Sequence, residues 1–321
     1  MTIRFWKLYA LSQTSFHKDY QMVKWYEVKE QAAGNKRLML LWYIYNIAGK
    51  NAVKFIVFFV TLFAFLGAPK IRKCSQKYLK IANGKGSILS AFKHFLSYSY
   101  SLVDKMEMFT DKYSIKKIYF SDEDLKNKLF SDLLDKKGIY FLCSHLGNIN
   151  AMRTFFRSGT AIEGIKVNLF LEANQCKTFK DFISKISTDN PITAYPVENI
   201  DMTTSIEIKE KLDDGEIVFM AGDRIAPNND NAVFTSEFLS KKVNFPIGAF
   251  KFGLLTGAQI YFIVCTKEKN DKYAIHIKKF EFEGKRKEKL EELEKQYVKF
   301  LEELTKKYPY QFYHFYDFFE V

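Results

Sequence analysis

Gly138-Ile139-Tyr140-Phe141-Leu142-Cys143-Ser144-His145-Leu146-Gly147-Asn148-Ile149-Asn150 is the stretch from which the fold is read. Its first six residues form a short apolar run after the Lys136-Lys137 pair, and such a run reads as a buried strand. The polar residues that follow lie at the strand's C-terminal end. Outward from this segment, similar runs recur at 165–170 (IKVNLF), 192–196, 216–221 (EIVFMA), 258–266 (AQIYFIVCT) and 273–280. Helical patterns fall between and after them, at 178–186, 203–213, 250–255 and 285–307. The last is charged and amphipathic, with Leu290, Leu293, Tyr297, Phe300, Leu301 and Leu304 on one face. Strands alternating with helices predict an α/β fold, a mainly parallel or mixed sheet flanked by helices.

The first third of the chain differs. Residues 1–24 read as an aromatic lead-in, 25–115 as a basic, apolar helical region, and 116–321 as the α/β domain. Helices are expected at 36–48, over the apolar run, and at 88–109, with Gly84-Lys85-Gly86 as a turn. The chain has 49 Lys plus Arg and 37 Asp plus Glu, a net charge of +12. Between Gln31 and Val103 there is no acid, and eleven basic residues stand there. Nearly all of the excess charge is therefore local, and it calls for an anionic partner.

Nucleic acid and a membrane surface compete for that role. Phe55 to Ala68 (FIVFFVTLFAFLGA) is the most apolar run in the chain. A nucleic-acid surface has little use for it, whereas a membrane-facing helix does. The run has 14 residues, short of the roughly 20 that span a bilayer, so spanning and lying on the membrane both stay open. Lys70, Arg72, Lys73, Lys77 and Lys80 follow it, and Trp42, Tyr43 and Tyr45 precede it, types that settle at headgroup level. The expected partner is an anionic membrane and not nucleic acid. The opening residues MTIRFWKLYALSQ contain no long apolar segment and no small-residue cleavage site. The expected location is the cytoplasmic face of the inner (plasma) membrane. A hydrophobic fraction of 47% excludes global disorder. Cys74, Cys143, Cys176 and Cys265 are scattered, which argues against a disulfide framework or a zinc knuckle. No metal is expected.

Five histidines are candidates for chemistry. His17 is in the lead-in, His94 is expected on a helix surface, His276 sits in an alternating strand, and His314 is expected to pack among aromatics. His145 differs because it follows a buried strand directly, where open α/β sheets bind ligands. Gly147 lets a backbone approach closely. Asn150 faces back toward the imidazole if a helix starts there. Ala221-Gly222-Asp223-Arg224 occupies the matching position after EIVFMA, and neighbouring parallel strands bring the two clusters together. A hydrogen-bonded core histidine and a loop-capping Asp-Arg pair are the plainer alternatives.

The segment SHLGNIN resembles the first motif of the lysophospholipid acyltransferase superfamily, a His followed by four residues and an acid. Its wording is similar to the branch that holds the bacterial lipid A lauroyl and myristoyl acyltransferases. Arg153, AGDR at 221–224 and Phe245-Pro246-Ile247-Gly248 resemble further blocks of that branch in the same order. Trp25, Glu30, Ser75, Tyr78-Leu79, Asp104 and the aromatic ending at 311–319 look similar to one subgroup, so the resemblance covers about residues 25 to 321.

The resemblance implies acyl transfer from an acyl thioester, of acyl carrier protein or coenzyme A, to a hydroxyl or amine of a lipid or glycolipid. The thioester is a co-substrate, and no cofactor is implied. His145 is then the general base, and Asn150 the residue that holds it. Gly147 and Asn148 are placed at the oxyanion. Arg153 and Arg224, with Asp223 orienting, bind an anionic group, and Phe245, Pro246 and Gly248 wall the acyl pocket. The family's acid falls on Asn150 here, and an amide supplies no negative charge. Either another acid substitutes, Asp223 being the nearest by motif, or the chain is a non-catalytic lipid-binding relative.

Overall fold

The computed structural model describes residues 35–110, 112–157, 164–173, 192–225, 232–285 and 288–319. His17, Trp25, Glu30, Cys176 and the helix expected at 178–186 lie outside the described residues. The described chain forms two compact units, divided between Val103 and Asp104, with His314–Phe319 belonging to the first.

The first unit is helical: α1 (Asn35–Gly67), α2 (Pro69–Asn83) and the start of α3 (Ile88–Phe109). Pro69 opens α2 at a position where its missing N–H costs nothing, and Gly84 closes it with φ 73. Within α1, Val53, Val57, Thr61 and Phe65 are buried at four-residue spacing. Phe65 lies edge-on to Phe92 and Phe95 of α3, with centroids 5.3 and 5.1 Å away. Over Trp42–Gly67, α1 is long and apolar enough to cross a membrane. His94 is not on the surface. It is wholly buried, its Nδ1 lies 2.9 Å from Ser75 Oγ, and its ring stacks on Phe315 at 4.4 Å. The side chain follows the apolar face of α3, not the polar type of the residue. His314 is buried among the rings of Tyr316 and Phe318, as its aromatic setting predicts.

The second unit is an α/β sandwich. Seven strands, β1 (Ile118–Phe120), β2 (Ile139–Gly147), β3 (Val167–Leu171), β4 (Ile192–Pro196), β5 (Ile217–Ala221), β8 (Gln259–Lys267) and β9 (Tyr273–Lys279), form one sheet in the order β1-β9-β8-β2-β5-β3-β4. All pairings are parallel except β8 with β9. β2 is central and buried on both faces, which is why it reads as an unbroken apolar run. Its side chains alternate. Ile139, Phe141 and Cys143 pack with α4 (Glu123–Leu134) and α5 (Asn150–Arg157). Tyr140 faces the other way. Its hydroxyl donates to Ala249 O at 2.9 Å in α7 (Gly248–Thr256), beyond α6 (Met202–Asp213). On that second face, Tyr297 of α8 (Lys289–Lys307) meets Phe250 and Phe262. Leu293, Tyr297 and Leu301 are the buried stripe of α8; Leu290, Phe300 and Leu304 are half-buried beside it.

β1, α4 and one hairpin are among the elements that the sequence reading did not contain. α4 carries its own start signal, since Asp122 accepts from Leu125 N at 2.9 Å. β6 (Val233–Phe238) and β7 (Lys241–Pro246) form a separate antiparallel hairpin. Its turn residues, Leu239 and Ser240, both have positive φ (54 and 58). Such turns favour Asn-Gly, so Leu-Ser hides the hairpin in the sequence.

The buried carboxylate Asp132 accepts hydrogen bonds from Lys279, Tyr261 and Lys137. Burial alone raises its pKa, but these bonds outweigh it and hold the carboxyl below its ordinary value. A carboxyl lowered on folding contributes stability that is complete above its unfolded pKa, about 3.9. That contribution is lost as pH falls through the folded value. Asp132→Asn should therefore lower the urea midpoint at pH 7 and flatten the decline seen below about pH 4. Equilibrium unfolding across that range checks both, and an unchanged midpoint at pH 7 refutes the claim.

Candidate active site

The site is built by register. β2 and β5 run parallel with Cys143 opposite Ala221, and Gly222 N donates to Cys143 O at 3.0 Å. Two residues further along each segment, His145 meets Asp223. His145 Nδ1 lies 2.9 Å from Asp223 Oδ1, and His145 N donates to Asp223 Oδ2 at 2.7 Å. One carboxylate thus fixes both the backbone and the ring of the histidine.

The other flank of β2 produces a bulge. Cys143 pairs with Ile263 and Gly147 with Cys265 of β8, so four steps on β2 face two on its neighbour. Ser144-His145-Leu146 must therefore swing out of the ladder. Gly147 closes the bulge with φ 76. A Cβ there would stand 2.0 Å from Cys265 O, so only glycine fits. Asn148 N then donates to Cys265 O at 2.7 Å, which commits this N–H to the sheet. Below the bulge, Tyr297 hydroxyl donates to Cys143 O at 2.8 Å.

Charge and exposure are divided between the partners. The His145 side chain is 34% exposed, whereas that of Asp223 is fully buried. An ionised carboxylate only accepts, so Nδ1 carries the proton and Nε2 keeps its lone pair. The arrangement is an imidazole held in one tautomer by a buried carboxylate, the geometry that suits a general base. Two thiols of the site region are not nucleophiles. Burial, then the charge of Asp223, pushes the Cys143 thiol far up, and burial pushes Cys265 up to about 12. His276 is a core residue. Its Nε2 lies 2.9 Å from Thr266 Oγ1. Burial, then Lys307, pushes its pKa down to about 4.

Asn150 does not hold the imidazole. It starts α5, and its amide donates to Asn148 Oδ1 at 2.8 Å. A five-residue offset that crosses a bulge and a positive-φ glycine puts Asn150 on the helix, facing its own loop. Arg224 is half-buried and donates to Tyr313 O at 3.0 Å. Tyr313 N in turn donates to His145 O at 3.3 Å. Arg153 is buried, its guanidinium 4.4 Å from the centroid of Phe109. Phe245 is wholly buried in β7, stacked on Phe234 and edge-on to Phe238. Pro246 ends that strand half-buried, and Gly248 opens α7 exposed.

A polar chain lies beside the bulge. Asp104 accepts from the Tyr273 hydroxyl at 2.9 Å and from Lys267. The Asn148 side chain hydrogen-bonds the same hydroxyl. Tyr273 is the member of this site region that its sequence does not advertise, because it sits in an ordinary apolar strand. Neither a scan against protein-family models nor a search of the curated proteins finds a match to this chain.

Gly147→Ala should destabilise the second unit by about 3 kcal/mol or more, since it forces positive φ and a backbone clash together. Thermal unfolding checks this. A stable, well-folded Gly147→Ala protein would contradict the close approach to Cys265.

Proposed function

We propose that this chain is a membrane-associated acyltransferase that moves an acyl group from a thioester to a hydroxyl or amine of a lipid or glycolipid. The observation that carries the reading is the His145–Asp223 pair at the ends of two adjacent parallel strands. The carboxylate sought at Asn150 is supplied by Asp223, from the neighbouring strand. This supports turnover over the alternative of a lipid-binding relative without activity.

The chemistry follows from the pair. Nε2 of His145 takes the proton from the acceptor as its oxygen or nitrogen attacks the thioester carbonyl. Asp223 stabilises the imidazolium that forms. The tetrahedral intermediate collapses, the carbon–sulfur bond breaks, and the imidazolium returns its proton to the leaving thiolate. Arg224, tied to Tyr313 O beside the dyad, receives the anionic part of acceptor or donor. The donor is an acyl carrier protein or coenzyme A thioester. The basic, acid-free stretch 31–103 and the apolar helix α1 bring the enzyme to the cytoplasmic face of the inner membrane, where such an acceptor lies.

General-base catalysis is typically worth about 10²–10⁴-fold. Purified protein is assayed with both thioesters and a total lipid extract, and products are read by mass. His145→Ala and Asp223→Asn should each lose about 10²-fold or more, while Asn150→Asp should change the rate by less than about 3-fold. Full activity in His145→Ala would sink the assignment. A large gain in Asn150→Asp would return the acid's role to that position.

A further inference from the structure

The helix long enough to cross a membrane is broken. Gly49 has φ 77 and ψ 178, outside the helical region, so α1 is two helical segments joined there. Lys50, Asn51 and Lys54 follow the break. The uninterrupted apolar part, Phe55–Gly67, has 13 residues. At a rise of 1.5 Å per residue that is about 20 Å, against a hydrocarbon core of about 30 Å. Both ends of this part carry cations: Lys50 and Lys54 before it, Lys70, Arg72 and Lys73 after it. Cations prefer the anionic leaflet, so both ends favour the same side.

The faces of the helix are also unequal. Val53, Val57, Thr61 and Phe65 are turned into the protein. Phe55, Phe59, Val60, Phe63 and Leu66 are exposed, large and apolar. On α2, Lys70, Lys73, Lys77 and Lys80 are exposed, while Cys74, Ser75, Tyr78 and Leu79 are buried. An apolar face beside a basic one is what a helix lying in the plane of an anionic leaflet needs.

We propose that α1 lies within one leaflet and does not cross the bilayer. Phe55, Phe59, Phe63 and Leu66 enter the acyl region, and the basic residues on both sides of the run meet the headgroups of the same surface. This rests on the membrane reading given above.

The test uses the full chain in sealed membranes of expressing cells, in both orientations, on a Cys176→Ser background. Cys74, Cys143 and Cys265 are buried. Single reporters Asn51→Cys and Lys73→Cys, both at exposed positions, are treated with a membrane-impermeant maleimide. Labelling of both from the same side is the expected result. Labelling from opposite sides means that the helix spans, and overturns the proposal. Phe59→Glu with Phe63→Glu should move at least tenfold more protein into the soluble fraction; an unchanged distribution also overturns it. Wild-type protein found in the soluble fraction would instead defeat the membrane reading itself.

Discussion

Gly147 has to carry positive φ in a place where no side chain fits, against the carbonyl of Cys265. That contact ends β2, and it forces the three residues before it out of the ladder. Without the bulge, His145 would continue the alternation of a fully buried strand, and its ring would lie in a core of aromatics. With it, about a third of the imidazole side chain is exposed while its backbone stays anchored. The same neighbour, β8, takes the Asn148 N–H, so the chain leaves the sheet in one defined direction into α5. A single steric constraint thereby sets where the strand stops, where the helix begins and where the imidazole points.

Asp223 is the other half of that arrangement. A buried carboxylate is costly unless hydrogen-bonded, and this one accepts from both the backbone and the ring of His145. Those bonds make its burial tolerable, and they lock the ring tautomer. Burial in turn keeps water away from the carboxylate, so its interaction with a protonated imidazole would be stronger than at the surface. Gly222 lets the segment pass close to Phe250 and Tyr297, whose rings a Cβ would meet at 3.2 Å. The second polar cluster, like the first, depends on a glycine for its approach.

The helical unit follows a different rule. Its buried stripe on α1 is narrow, and it is filled by ring-on-ring packing around Phe65, Phe92 and Phe95. Its outward face is as apolar as its inward one, which suits a lipid environment better than water. On α2, lysines occupy exposed positions and uncharged residues the buried ones.

Much of this was legible in the residues. The apolar runs at 139–143 and 217–221 needed no tertiary information, because a strand buried on both faces must be apolar throughout. Placing polar clusters after two such runs was enough to bring His145 and Asp223 to one edge of the sheet, as the observed register of Cys143 with Ala221 bears out. The bulk distribution of charge was equally plain, since it is a property of composition. The Leu239-Ser240 hairpin was not, because positive φ at two ordinary residues is imposed by the strands around them. Nor was the burial of His94, which its helix face decides and its residue type does not. The partner of the imidazole was legible only as one of two candidates. Sequence offset pointed to Asn150 and motif to Asp223; a bulge and a left-handed glycine turn Asn150 away, and Asp223, 78 positions on, is the one in contact. Local sequence determined most strands of the main sheet and which polar residues stand at their ends. Register across the sheet, a long-range hydrogen-bonding property, decided which of them meet.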